Sequence, residues 1–180
     1  VFARNEVRVI ASAGLSLEAA AGVAEARGIP AVILSDAMEG EAREVGRVHA
    51  ALAREVALRD RPFRRPVVML SGGETTVTLS GSGGRGGRNT EFLLAFAQEI
   101  EGLSGISALA ADTDGIDGSE DNAGAFADGG TCAAMRSGGI DPAEALARHD
   151  AWGAFDAVDD LFVPGPTGTN VNDVRAMLIP

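Results

Sequence analysis

The 180-residue sequence contains no lysine and no tyrosine, a single cysteine and only two histidines. All fifteen basic residues are arginines, which excludes a P-loop, whose lysine reaches the terminal phosphates, and lysine Schiff-base chemistry. Cys132 has no partner for an internal disulfide; it fits a reducing compartment and reads as a small buried residue. No H-E-x-x-H, paired C-x-x-C or G-x-S-x-G occurs, so zinc and serine-triad chemistry find no support. No apolar run approaches the roughly 18 residues that span a bilayer. The opening residues lack the basic-then-apolar pattern of an export signal. These absences point to a cytoplasmic protein with no membrane partner. A net charge of −11 argues against a nucleic-acid partner, because phosphate neutralisation needs clustered cations. The sequence starts at Val1 rather than Met and opens like the middle of a protein, so the chain is expected to be a piece of a longer one.

What is present reads as an α/β layered domain with a mixed, mostly parallel sheet flanked by helices. Short strands are expected over residues 7–11 and 31–34, and an alanine-rich helix over 15–27 ended by Gly28 and Pro30. A second helix over 41–58 carries Val45, Val48, Leu52 and Val56 on one face; His49 within it reads as a structural histidine. The basic, proline-bearing stretch 59–66 is the best internal boundary. Beyond it, strands over 67–70 and 75–79 flank Ser71-Gly72-Gly73-Glu74 and suggest a hairpin. A helix over 89–101 presents Phe92, Leu93, Phe96, Ala97 and Ile100 as its apolar stripe, with Asn89 as N-cap and Glu91 near the positive end of the helix dipole. A strand over 106–111, short helices over 131–137 and 142–147, and a closing strand over 174–179 complete the pattern. Trp152 and Phe155 read as core anchors.

Four loops carry the candidate chemistry. In the first, Gly81, Gly83 and Gly86 satisfy G-x-G-x-x-G between a strand and a helix, the outline of a dinucleotide fingerprint. Gly87 and Arg88 then intervene before the helix, and Asp112 comes later than the acidic residue expected about 20 positions on. An anion cradle fits better: glycine N–H groups and a helix N-terminus, with Arg85 and Arg88 offering planar forks to phosphate oxygens. In the second, Asp112-Thr113-Asp114-Gly115-Ile116-Asp117-Gly118 follows an apolar strand, where α/β ligand sites gather. Its carboxylates could hold Mg²⁺ or accept a hydroxyl proton in phosphoryl transfer. The third, Gly165-Pro166-Thr167-Gly168-Thr169-Asn170-Val171-Asn172-Asp173, presents many polar groups on an irregular backbone. The fourth, Gly72, Gly73 and Glu74, could turn N–H groups toward an anion.

Taken in order, Ser71-Gly72-Gly73-Glu74-Thr75-Thr76, Gly84-Arg85-Gly86-Gly87-Arg88-Asn89-Thr90-Glu91, the aspartate loop and the Gly165–Asp173 loop resemble the glycerate 2-kinase family, whose C-terminal region is called the MOFRL domain. The resemblance divides the chain into residues 1–65, a segment packed into the same α/β domain, and 66–180, the MOFRL-like region. It implies ATP-dependent phosphorylation of D-glycerate at its 2-hydroxyl with Mg²⁺, in a cleft shared with an N-terminal domain outside this chain. That missing domain would supply the catalytic lysine, and the chain alone would be inactive; the parent could form a homo-oligomer. By motif matching, Arg88 corresponds to the phosphate-stabilising arginine. Asp114 lies with Arg88 in the cleft as a catalytic or metal-binding carboxylate, and Asn170, Asp117 and Asp173 lie nearby. Gly72, Gly73, Glu74, Arg85, Asn89, Glu91 and Thr167 complete the candidate substrate- and nucleotide-binding set. Related proteins also carry the name hydroxypyruvate reductase. An NAD(P)-dependent reductase and a non-enzymatic anion-binding or interaction module therefore stand as alternatives.

Overall fold

The computed structural model describes residues 5–6, 8–79 and 83–180. The chain runs α1 (Ala13–Glu25), β1 (Ala31–Met38), α2 (Ala42–Arg59), β2 (Val67–Gly73), α3 (Arg88–Glu99), β3 (Ser107–Asp112) and β4 (Gly124–Asp128). It continues through α4 (Thr131–Ser137), α5 (Pro142–Ala147), α6 (Ala151–Asp156), β5 (Leu161–Phe162) and β6 (Asp173–Ile179). Among the described residues the strands form one sheet in the order β1-β2-β6-β3-β4-β5. The sheet is mixed and flanked by helices, as expected, but its pairing is not mostly parallel. Only β1 and β2 run parallel, while β2–β6, β6–β3, β3–β4 and β4–β5 are antiparallel. Two of these pairs come from the C-terminal strand, as β6 inserts between β2 and β3 and runs against both; the other two come from β4, which runs against β3 and β5.

The expected 67–70/75–79 hairpin does not form. Gly73 has φ +119° and lies so close to Met38 that a Cβ there would fall 2.2 Å from the Met38 amide nitrogen, which turns the chain out of the sheet. Thr76 then makes one isolated bridge to Glu41, its carbonyl accepting from Ala42 N–H at 2.8 Å. The partner expected of the second hairpin strand is supplied by β6. The strand expected at the start is also absent from residues 8–11; Val7, like Gly81 of the glycine fingerprint, lies outside the described residues.

Strand alternation assigns the two faces. Ser71 meets His49 of α2, so Val67, Met69 and Ser71 point toward the α2/α3 layer. A Cβ at Gly72 would touch Leu17 of α1, so Leu70 and Gly72 point toward α1 on the other face. The main core lies under α3, whose residues from Asn89 to Ala97 are all buried. Phe92 and Phe96 stack at 6.4 Å and His49 meets the Phe92 ring edge-on at 5.1 Å. His49 is fully bonded through Val45 O and Ser71 Oγ, and its burial pushes its pKa down, in keeping with a structural role.

Helices α2 and α3 approach closely enough that a Cβ at Gly46 would sit 2.3 Å from the Phe92 carbonyl oxygen, whereas one at Gly22 of α1 meets nothing within 4 Å. Gly46→Ala is therefore expected to destabilise by about 1–3 kcal/mol. Gly22→Ala, which only stiffens the unfolded chain and improves helix propensity, should stabilise by about 0.4–1 kcal/mol. Urea unfolding of both variants checks this; equal shifts in the same direction would contradict the close packing of α2 on α3.

Candidate active site

Arg88 starts α3 and reaches across the ends of β3 and β6. Its Nε donates to Asp173 Oδ1 at 2.8 Å and its Nη2 to Asp112 Oδ2 at 2.5 Å. Its Nη1 has only a loose ion pair, 3.6 Å from the exposed Glu74 carboxylate. Burial alone would lower the Arg88 pKa, but Asp173, Asp112 and Glu74 together hold it above its ordinary value. Asp173 is the buried pivot: Oδ1 also accepts from Asn89 Nδ2 at 2.8 Å, and Oδ2 from Arg175 Nη2 at 2.7 Å. Arg175 is itself wholly buried, donates to Thr75 Oγ1 and lies over the Phe92 ring at 4.9 Å. Its Nε and Nη1 have no partner among the described residues. Sequence reasoning passed over Arg175 because an arginine in a terminal strand has no motif of its own.

The aspartate loop and the Gly165–Asp173 loop are sewn together beside this cluster. Asp114 Oδ2 accepts from Asn170 Nδ2 at 3.0 Å, and Oδ1 from Ile116 N–H at 2.9 Å. Thr167 N–H donates to the Asp114 carbonyl and its hydroxyl to the Thr113 carbonyl, while Thr113 Oγ1 accepts from Val171 N–H and donates to Asn172 O. The fold thus brings Arg88, Asp112, Asp114, Asn170 and Asp173 to one end of the sheet. Asp112, which follows the apolar strand directly, has its pKa raised to about 6. Burial is the main cause and the nearby carboxylates of Asp114 and Asp173 add to it, against the Asp114 N–H and Arg88.

Other candidates have different roles. Asp117 is buried, accepting from Asn89 N–H and Thr90 N–H at 2.9 Å each and from the Thr90 hydroxyl at 2.8 Å. An internal carboxylate therefore fills the helix start expected to cradle phosphate. Burial raises the Asp117 pKa against these hydrogen bonds. Asn89 is inside the helix rather than its cap, which is Gly87. Gly87 is small because Asp117 sits against it, and Gly84 because Asp150 does; a Cβ at either would fall 2.4 Å from those side chains. Arg85 stacks over Trp152 at 3.5 Å and pairs with Glu120 at 2.6 Å, so the tryptophan packs under an exposed arginine rather than anchoring the core. Glu91 is buried under Arg43 and His149, at 2.5 and 3.0 Å. Gly72 packs against Leu17 and the Asp173 carbonyl. A cavity of about 660 Å³ opens between residues 74–79 and 84–88, with Glu91, Gly118 and His149 among its lining.

Two predictions follow from the carboxylates. Asp112 binds its proton more tightly when folded, so its contribution to stability is full below about 3.8 and is lost as the pH rises through about 6. Asp112→Asn should remove that slope, and denaturant melts of both proteins between pH 4.5 and 7.5 should converge or diverge accordingly; parallel curves would refute it. Asp117→Asn turns one of the two accepting oxygens into a donor that faces a buried N–H group, and should cost about 3 kcal/mol, read as a fall in Tm.

Comparison with known proteins matches this geometry to a family. The model of the MOFRL family matches residues 67–173. A protein of Agrobacterium vitis that bears the provisional name hydroxypyruvate reductase is 55% identical over 97% of this chain and 46% of its own length. The glycerate 2-kinase of Pyrococcus horikoshii is 43% identical over 95% of the chain and 39% of that protein. The crystal structure of Thermotoga maritima glycerate kinase superposes with a TM-score of 0.94 at 38% identity, over 97% of this chain and 42% of that one. The chain spans less than half the length of these relatives. With the family match running from β2 through the loop that ends at Asp173, the chain belongs to the MOFRL family.

Proposed function

We propose that this chain forms one wall of the active-site cleft of a glycerate 2-kinase, which transfers the γ-phosphoryl group of ATP to the 2-hydroxyl of D-glycerate. The observation that carries the reading is Arg88, clamped by Asp173 and Asp112 with Nη1 left for a ligand, in a chain 43% identical to a protein named glycerate 2-kinase. Two carboxylates fix the guanidinium plane, so its free edge meets phosphoryl oxygens without reorganising as charge develops.

The surrounding charge favours a divalent cation. Among the described residues Asp112, Asp173 and Glu74 pair with Arg88 and Arg175 and Asp114 has no cationic partner, and a triphosphate would be repelled without added positive charge. Among the described residues no cluster of three metal-ligating side chains is present. That suits Mg²⁺, which takes one or two carboxylates and completes its shell with phosphates and water. Asp114 is the residue assigned to hold it, its carboxylate already oriented by Asn170 and Ile116. The ion would neutralise charge on the transferred group.

The remaining part of the longer protein supplies the second wall in this reading, including the lysine this chain lacks. The glycine-rich loop offers little to a nicotinamide dinucleotide, because Asp117 and Asp150 take up the space and the N–H groups a pyrophosphate would need.

The full-length protein should convert D-glycerate and ATP to 2-phosphoglycerate and lose activity with EDTA, while the 180-residue chain alone should form no product. Arg88→Ala in the full-length protein should lower kcat by about 10²–10³-fold, with Arg88→Lys failing to restore it. Phosphorylation by the isolated chain, or undiminished turnover by Arg88→Ala, would refute the assignment; the latter would favour a non-enzymatic module.

A further inference from the structure

The cavity beside Arg88 also holds an imidazole backed by a buried carboxylate. His149 follows α5 with φ +55°, and it lines the cavity together with Arg88 and Glu91. Its Nδ1 lies 3.0 Å from Glu91 Oε2 and 3.2 Å from Oε1, and the Glu91 side chain is only 3% exposed. Arg43 Nη2 lies 2.9 Å from the same ring nitrogen.

Counting hydrogens decides the tautomer. The two hydrogens on Arg43 Nη2 serve Glu91 Oε1 at 2.5 Å and the Leu146 carbonyl at 3.1 Å, so none remains for the imidazole. Nδ1–H therefore donates to Glu91, and Nε2 carries the lone pair. Among the described residues Nε2 has no hydrogen-bond partner. A buried carboxylate that orients the imidazole of a residue lining an open cavity is the arrangement of a general base.

We propose that His149 is the base that takes the proton from the acceptor hydroxyl, an inference that rests on the kinase reading above. The hydroxyl oxygen bonds to the γ-phosphorus of the nucleoside triphosphate as its proton passes to Nε2. The bond from that phosphorus to the β–γ bridging oxygen breaks, and nucleoside diphosphate leaves. Glu91 stabilises the imidazolium that results. Arg88, which would meet the phosphoryl group, and His149, which would meet the hydroxyl, line the same cavity. Asp114 is assigned to the metal ion in that reading and is not among the residues lining this cavity. The charged groups facing the imidazole are Glu91 from α3 and Arg43 from α2, with Arg88, Glu74 and Glu39 on the other cavity walls.

The test uses the full-length protein with D-glycerate and MgATP. Glycine is well tolerated at a left-handed position, which makes His149→Gly a variant whose backbone is not strained. Its kcat should fall about 10²–10⁴-fold with KM little changed. Added imidazole should restore turnover in proportion to its unprotonated fraction. A kcat within about threefold of wild type, or a lowered kcat that imidazole does not restore at any pH, would overturn the role of His149 while leaving the kinase reading intact. Absence of glycerate phosphorylation by the wild-type protein would overturn both.

Discussion

The buried carboxylate of Asp173 is the contact on which the functional end of the molecule depends. It is shared among Arg88 from α3, Arg175 two residues along β6 and Asn89 in the first turn of α3. A single buried charge is strongly disfavoured, and only pairing with hydrogen bonding makes it tolerable. Asp173 meets that demand by drawing two guanidinium groups and an amide onto one point. The helix start, the end of the sheet and the aspartate loop are thereby fixed relative to one another. Arg88 acquires its orientation from this arrangement rather than from its own helix.

The same logic governs the start of α3. A helix N-terminus attracts negative charge, and here the charge comes from Asp117 in the same chain. The glycines before the helix are small so that residues 117 and 150 can approach it. A segment that resembles a ligand cradle is therefore a packing joint, and the side chain of Arg88 is the part of it to which the proposed chemistry is assigned. Beside it, Glu91, expected near the positive end of the helix dipole and among the candidate binding residues, is drawn into a buried triad with Arg43 and His149, residues far apart in the sequence.

Much of the fold was legible because periodicity reports burial. The apolar stripe of α3, the short helices α4 and α5 and the closing strand all follow from spacing and capping residues such as Asp141 ahead of Pro142. Strand β4 escaped notice because Gly124-Ala125-Phe126-Ala127-Asp128 has little β propensity. Gly124 belongs there since a Cβ would fall 1.8 Å from the Ala110 carbonyl across the ladder, a requirement invisible along the chain. Hairpin prediction failed at residues 71–79 for the converse reason: a turn-like sequence is also what a strand exit requires.

Composition and local order by themselves determined that lysine chemistry and internal disulfides are absent, that helices alternate with strands, and that polar loops follow the strand ends. Motif order also pointed to the family. Those properties reside in residue type and short-range spacing, where backbone preference and the period of burial operate. Tertiary structure alone decided that β6 inserts between β2 and β3, that Asp117 rather than a ligand caps α3, and that Arg43, Glu91 and His149 meet at one cavity. Each of these depends on contacts between residues tens of positions apart. Whether a charge is paired, capped or left facing a cavity is set by what the folded chain brings to it.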